Sequence, residues 1–299
     1  MTGKKHPILS VLAILVAAVV FLGAAMAVIL SIFGPSSAFS FRERIGVINV
    51  EGTIIDSEPI LNQLVDFKRD KSIKAIVMRV NSPGGGVAPS QEIYREIRKT
   101  IKTKKVIASM GNLAASGGYY ISSAADKIVA SPGTLSGSIG VIMEFVQLED
   151  LLKKLGVGLE VVKTGEFKDI GSPHRKMSER DRGLITALIQ EIQTQFVEAV
   201  ARGRNLPVEK VREIADGRIL SGARCKELGL VDMLGNFQDA VDLAKQMSGI
   251  EGEVTLVYAR KARGMLWELL FDDAMESAYR AARNVLQTQV EYRWNGFQN

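Results

Sequence analysis

One cysteine and two histidines are all that the 299-residue chain holds of those residue types. The lone Cys225 rules out an internal disulfide and any cysteine-based zinc site. It lies in a helical pattern, Ala223 to Leu228, with no histidine nearby, and reads as packing. His6 precedes a long apolar run, which leaves His174 for any Ser-His-Asp triad. The G-x-S-x-G elbow is missing. Its nearest approach, Ser136-Gly137-Ser138-Ile139-Gly140, has serine where the first glycine belongs. H-E-x-x-H and the G-x-x-x-x-G-K-[ST] phosphate loop are also absent, and Gly156-Val157-Gly158 lacks the third glycine of a dinucleotide fingerprint. No cofactor and no metal are therefore expected. The net charge of +5 comes from basic residues interspersed with acidic ones, without an aromatic-basic motif. Nucleic acid is not an expected partner, and attraction to anionic lipid headgroups accounts for the excess.

Charge is missing altogether between Ile8 and Phe33, where Val, Leu, Ile, Ala, Phe and Met dominate. Such a run exceeds the ~20 residues needed to cross a bilayer. Lys4 and Lys5 before it favour a cytoplasmic N-terminus, which places the remainder outside the cytoplasm. Arg42 and Arg44 oppose that assignment, although a large domain translocates regardless of its flanking charge. Ser36-Ser37-Ala38 resembles a signal-peptidase site. The apolar core of a cleaved signal is only about 7–15 residues long, however, so length favours an uncleaved anchor in the inner membrane.

Beyond a Gly-Pro-Ser-Ser linker, apolar runs alternate with amphipathic ones. Strands are expected at 45–50, 73–80, 106–110, 127–130, 140–143, 159–162 and 254–258. Helices are expected at 57–69, 91–102, 119–125, 178–204, from Pro207, and at 236–247, with 81–86 as a loop. This alternation defines an α/β domain. From Gly264 onward Leu266, Leu270, Ala274 and Ala278 recur every four residues, which predicts an amphipathic helix packed on its own domain, on a second subunit or on the membrane surface.

One hydroxyl stands out. Gly111-Asn112-Leu113-Ala114-Ala115-Ser116-Gly117-Gly118 joins a strand to a helix, and its small residues allow a substrate backbone close to Ser116. Free N–H groups at the helix start would face a developing negative charge. An ordinary N-cap serine fits the same residues. With histidine so scarce, a lysine is the alternative general base. Such a lysine must drop about three units from ~10.4, which requires burial away from carboxylates. Lys168 is a candidate, flanked by Glu166 and Asp169; in an extended segment Glu166 would share its face. A solvated loop lysine is the competing reading.

The motifs Asn81-Ser82-Pro83-Gly84-Gly85-Gly86, Ala114-Ala115-Ser116-Gly117-Gly118-Tyr119-Tyr120-Ile121, Gly133-Thr134-Leu135-Ser136-Gly137-Ser138-Ile139-Gly140-Val141 and Lys168-Asp169-Ile170-Gly171-Ser172-Pro173 occur in that order. Together, over roughly Arg44 to Met247, the chain resembles the bacterial signal peptide peptidase A family in its short single-span form. The resemblance implies a crotonase-like (ClpP-like) α/β domain at 41–249; the uncharged run adds an anchor and linker at 1–40, and the four-residue stripe a helical C-terminal tail at 250–299, where no family motif matches. The resemblance also implies Ser116 as nucleophile, Lys168 as general base and Ser138 as the hydroxyl that orients the lysine. Backbone amides of Gly84, Gly85 and Gly117 would form the oxyanion hole. It further implies a homo-oligomer with active sites formed between subunits, and remnant signal peptides as apolar substrates. A related membrane-bound protease of folded or membrane proteins, and a non-catalytic membrane scaffold, are the alternative readings.

Overall fold

The β-strands that form the floor of the molecule are apolar on both faces, and the sheet explains why. The computed structural model describes residues 15–26, 43–259 and 290–294. The first of these stretches is helical and belongs to a unit of its own, Met1–Arg42. Among the described residues no helix is long and apolar enough to cross a membrane. Most of the uncharged run from Ile8 to Phe33 lies outside them, as does the amphipathic stripe from Leu266 to Ala278.

In the second unit, β1 (Arg44–Glu51), β2 (Ile73–Ser82), β4 (Lys105–Ala115) and β5 (Lys127–Ala130) lie side by side and parallel. The edges are β10 (Thr255–Tyr258), beside β1, and β9 (Met233–Leu234), beside β5. Between successive strands run α1 (Glu58–Arg69), α2 (Val87–Thr100) and α3 (Gly117–Ser122). Alternate residues serve two cores. Ile76, Met78 and Val80 face a large cluster with Val106, Ala108, Tyr119 and Phe196, whereas Ala75, Val77 and Ile107 face Ala240, Val241 and Ala244 of α8 (Phe237–Ser248). Burial on both faces suits parallel strands, whose sequences then read as unbroken apolar runs.

The long α5 (Glu179–Arg204) begins at a capping box in which Ser178 and Asp181 exchange hydrogen bonds, and ends at Asn205 in the left-handed conformation. The shorter α6 (Val208–Arg212) and α7 (Gly222–Glu227) follow it. Cys225 is fully buried in the larger core, and burial pushes its thiol up to about 11.

Several short elements differ from the sequence expectation. The 81–86 stretch is not simply a loop. β2 continues to Ser82, and Gly84–Gly86 forms β3, which bridges Ile54 through the Ile54 amide to the Gly84 carbonyl and the Gly86 amide to the Ile54 carbonyl, both 2.8 Å. α2 accordingly starts at Val87 rather than Gln91. β6 (Leu135–Gly137) pairs in parallel with the end of β4 and antiparallel with β8 (Ile219–Ser221). Only Ile142–Met143, β7, is strand within 140–143. Leu159 to Val162 is not a strand, because no segment among the described residues pairs with it. It runs irregular beyond α4 (Glu149–Lys154), with Leu159 59% and Val162 94% exposed. Finally, Val290–Arg293 near the C-terminus forms β11, antiparallel between β3 and β7.

Candidate active site

β4 carries its apolar pattern to Ala115, and the chain then turns in a single residue. Ser116 has φ 53° and ψ −117°, and α3 starts at Gly117. Holding a non-glycine residue there costs on the order of 1–3 kcal/mol, so the surrounding structure must impose it. The Ser116 amide donates to the Gly137 carbonyl (2.9 Å), and the Ser116 carbonyl accepts from the Tyr120 amide (2.7 Å). Its side chain does not cap the helix. The residue is 1% exposed, and its Oγ is buried without a hydrogen-bond partner among the described residues. A lost hydrogen bond at a buried hydroxyl costs about 1–3 kcal/mol. Strain and an unused hydroxyl together fit a reactive group poorly served by its own chain, and the N-cap reading falls.

Ser138 is placed beside it by strand pairing. Ala115 and Gly137 are register partners of β4 and β6, so Ser116 and Ser138 are the next residues on adjacent parallel strands. Ser138 also takes a positive φ, 49°, and its amide donates to the Arg218 carbonyl at 2.8 Å.

Gly84 and Gly117 converge on one place, whereas a Cβ on Gly85 would run into the Ile54 backbone. A Cβ on Gly84, at φ +100°, would collide with the Tyr292 carbonyl oxygen and meet the Gly117 amide nitrogen at 2.6 Å. One on Gly117 would come within 3.1 Å of the same Tyr292 oxygen. The Gly84 amide itself turns to Ser82 Oγ (3.1 Å). A backbone carbonyl of the C-terminal segment thus occupies the point toward which this glycine cluster opens. β11 runs antiparallel to β3 with Tyr292 opposite Gly85, and the Trp294 amide donates to the Pro83 carbonyl (2.9 Å). Tyr292 is fully buried. Its ring stacks on Tyr120 with centroids 5.1 Å apart and packs against Phe196 at 4.5 Å. The sequence carried a signal for this strand, the alternation of Val290, Tyr292 and Trp294 with Glu291 and Arg293, which the helical reading of the tail passed over.

Lys168 lies elsewhere in the chain's exposed surface. It sits on a 3₁₀ turn, Glu166–Asp169, and its side chain forms no hydrogen bond or ion pair among the described residues. Neither neighbouring carboxylate engages it. Glu166 accepts from Arg180 at 2.7 and 2.8 Å, while Asp169 pairs with Lys163 (2.7 Å) and Arg175 (2.8 Å). Arg175 also pairs with the buried Asp181, joining the lysine turn to the start of α5. His174 hydrogen-bonds Ser172 and does not reach the Ser116 hydroxyl, which has no partner. Within one chain, therefore, strand register sets Ser116 beside Ser138 and Gly117 packs on Gly84, while the exposed Lys168 makes no hydrogen bond to the Ser116 hydroxyl.

A buried serine on a strand-to-helix turn, beside a glycine pair against which the chain's own β11 lies extended, fits a serine-type peptidase on a mixed α/β, ClpP-like fold, and the family matches support that class. The Clp protease family model matches residues 37–134, and the peptidase family S49 model matches residues 98–251. The chain is 44% identical over 214 residues to a putative protease of Synechocystis, covering 71% of this chain and 77% of that one. It is 37% identical over 237 residues to a putative signal peptide peptidase SppA of Enterococcus faecium, covering 75% and 69% respectively. A chloroplastic serine protease of Arabidopsis thaliana is 34% identical over 228 residues, 75% of this chain and 34% of that protein. The chain belongs to peptidase family S49.

Proposed function

We propose that this peptidase is a membrane-anchored endopeptidase with a Ser116–Lys168 dyad that degrades remnant signal peptides on the extracytoplasmic side of the inner membrane. The carrying observation is the Ser116 hydroxyl, buried, strained and unpartnered beside a cleft that holds an extended strand. In this reading neutral Lys168 accepts the Ser116 proton as Oγ attacks a peptide carbonyl. The oxyanion forms against the Gly85 and Gly117 amides, each such donor being worth about 2.7–4 kcal/mol in the transition state. Lys168 then gives its proton to the leaving amine, and water hydrolyses the ester. Ser138 holds the lysine nitrogen in line.

The base comes from a neighbouring copy. Lys168 is exposed and unengaged, and the segments around it leave Val146, Leu151, Leu155, Leu159 and Val162 more than half exposed. So many exposed apolar side chains within one stretch of sequence support an association face, and a homo-oligomer closing over it would bury them. The uncharged run at 8–33 supports the anchor, the extended antiparallel seating of β11 supports peptide substrates, and the printed name of the Enterococcus relative supports signal peptides.

The test is cleavage of an apolar signal-peptide fragment by the full-length chain in detergent. Ser116→Ala and Lys168→Ala each abolish it, and His174→Ala leaves it intact. An inactive His174→Ala with an active Lys168→Ala overturns the dyad, and preference for a folded membrane protein overturns the substrate class.

A further inference from the structure

Tyr292 is held at both ends. Its backbone lies in the antiparallel ladder against Gly85, with its carbonyl oxygen at the Gly84–Gly117 cluster beside Ser116. Its side chain fills a pocket walled by Tyr120 and Phe196, and Tyr94 packs behind Tyr120 at 5.0 Å. The far end of that pocket is polar. The Tyr292 hydroxyl donates to the Ile192 carbonyl of α5 (3.3 Å), and the Gln91 side chain of α2 faces the same oxygen while holding Gln195 at 2.9 Å.

We propose that this pocket is the subsite for the residue whose carbonyl is attacked, and that Gln91 and the Ile192 carbonyl make the enzyme select tyrosine there over phenylalanine and leucine. The proposal deepens the peptidase reading and rests on Ser116 as its nucleophile. The register sets the pairing, because only the residue opposite Gly85 presents both a carbonyl to the glycine cluster and a side chain to the aromatic walls. Stacking alone admits any flat ring. A hydroxyl donor that meets a carbonyl at the pocket floor separates tyrosine from phenylalanine, whose entry leaves the Gln91 amide and the Ile192 carbonyl without that partner. One neutral hydrogen bond in a half-buried setting gives a discrimination of about tenfold.

Two measurements test it on the full chain. In the first, peptides identical except for Tyr, Phe or Leu before the scissile bond are cleaved, and kcat/KM favours Tyr about tenfold over Phe. Gln91→Leu narrows that ratio. In the second, a labelled Val-Glu-Tyr-Arg-Trp peptide and its Phe counterpart are bound to the Ser116→Ala, Tyr292→Ala double variant. That protein has neither turnover nor its own tyrosine in the pocket, so the tyrosine peptide binds more tightly by a similar factor. Equal binding of the two peptides, or a Tyr/Phe ratio unmoved by Gln91→Leu, overturns the pocket assignment. If the wild type cuts none of the peptides, the peptidase reading fails and the binding measurement still decides the pocket.

Discussion

Ser116 and Ser138 succeed register partners on neighbouring parallel strands, and both leave their strands at a positive φ. β4 and β6 thereby deliver two hydroxyl-bearing residues to one spot without any contact between distant loops. With Ser138 as the hydroxyl that orients the lysine, Ser138→Ala lowers kcat while Ser116→Ala removes activity. The loss of one hydrogen bond of about 1–3 kcal/mol predicts a decrease of about 5- to 150-fold. The acidic limb of the pH–rate profile, where the base lysine loses its proton, moves with it, and Ser138→Thr restores part of the rate. An unchanged rate and profile in Ser138→Ala would remove the residue from the site.

A base supplied by a neighbour makes a distinctive prediction for mixtures. Ser116→Ala and Lys168→Ala proteins are each inactive, yet co-assembled oligomers contain interfaces with an intact serine from one chain and an intact lysine from the other. Co-expression of the two variants therefore restores a fraction of the wild-type rate. Complete inactivity of verified mixed oligomers would place both residues in one chain.

β11 occupies the cleft that a substrate strand needs. A tethered competitor acts at an effective concentration on the order of millimolar, so loosening it eases entry of a peptide added in solution. Tyr292→Ala is expected to lower the apparent KM for such a peptide several-fold. Steady-state kinetics on the full-length variant check this; a KM that is unchanged or raised contradicts the competition.

The Arg175 network carries a pH signature. Arg175 holds Asp169 below the usual carboxylate range, with Lys163 assisting, and holds Asp181 down to about 2, with Ser178 assisting. Unfolded aspartates titrate near ~3.9. Folded values below that mean stability fully present above about pH 4 and lost as the pH falls through about 2. Arg175→Leu consequently lowers the melting temperature by a constant amount between pH 7 and about pH 4.5, and the gap to wild type closes toward about pH 2. A gap independent of pH would refute the assignment.

Sequence made the long parallel strands legible because burial on both faces leaves an unbroken apolar run, as at Ile73 to Val80. It made β3 and β6 hard to see, since Gly84–Gly86 and Leu135–Gly137 are small residues whose strand character comes from partners far along the chain. Leu159 to Val162 had the composition of a strand but no partner among the described residues. At the site, composition and elimination pointed to a lysine-assisted serine with Lys168 as one candidate base, whereas the pairing of Lys168 with Ser116 and the role of Ser138 came from the family resemblance alone. Local sequence cannot reveal that Ala115 pairs with Gly137. Nor could it reveal that Tyr292 would seat in the cleft, a contact spanning the chain from Pro83 to Trp294.

A base supplied by a second copy, as proposed, also bears on biogenesis. A newly made copy holds a nucleophile that nothing in its own fold activates, with its cleft closed by its own C-terminal strand. It can fold, and pass other unfolded chains on the way, without cutting them. Proteolytic capacity would then appear only where enough copies accumulate to meet, so that local abundance sets when cleavage begins.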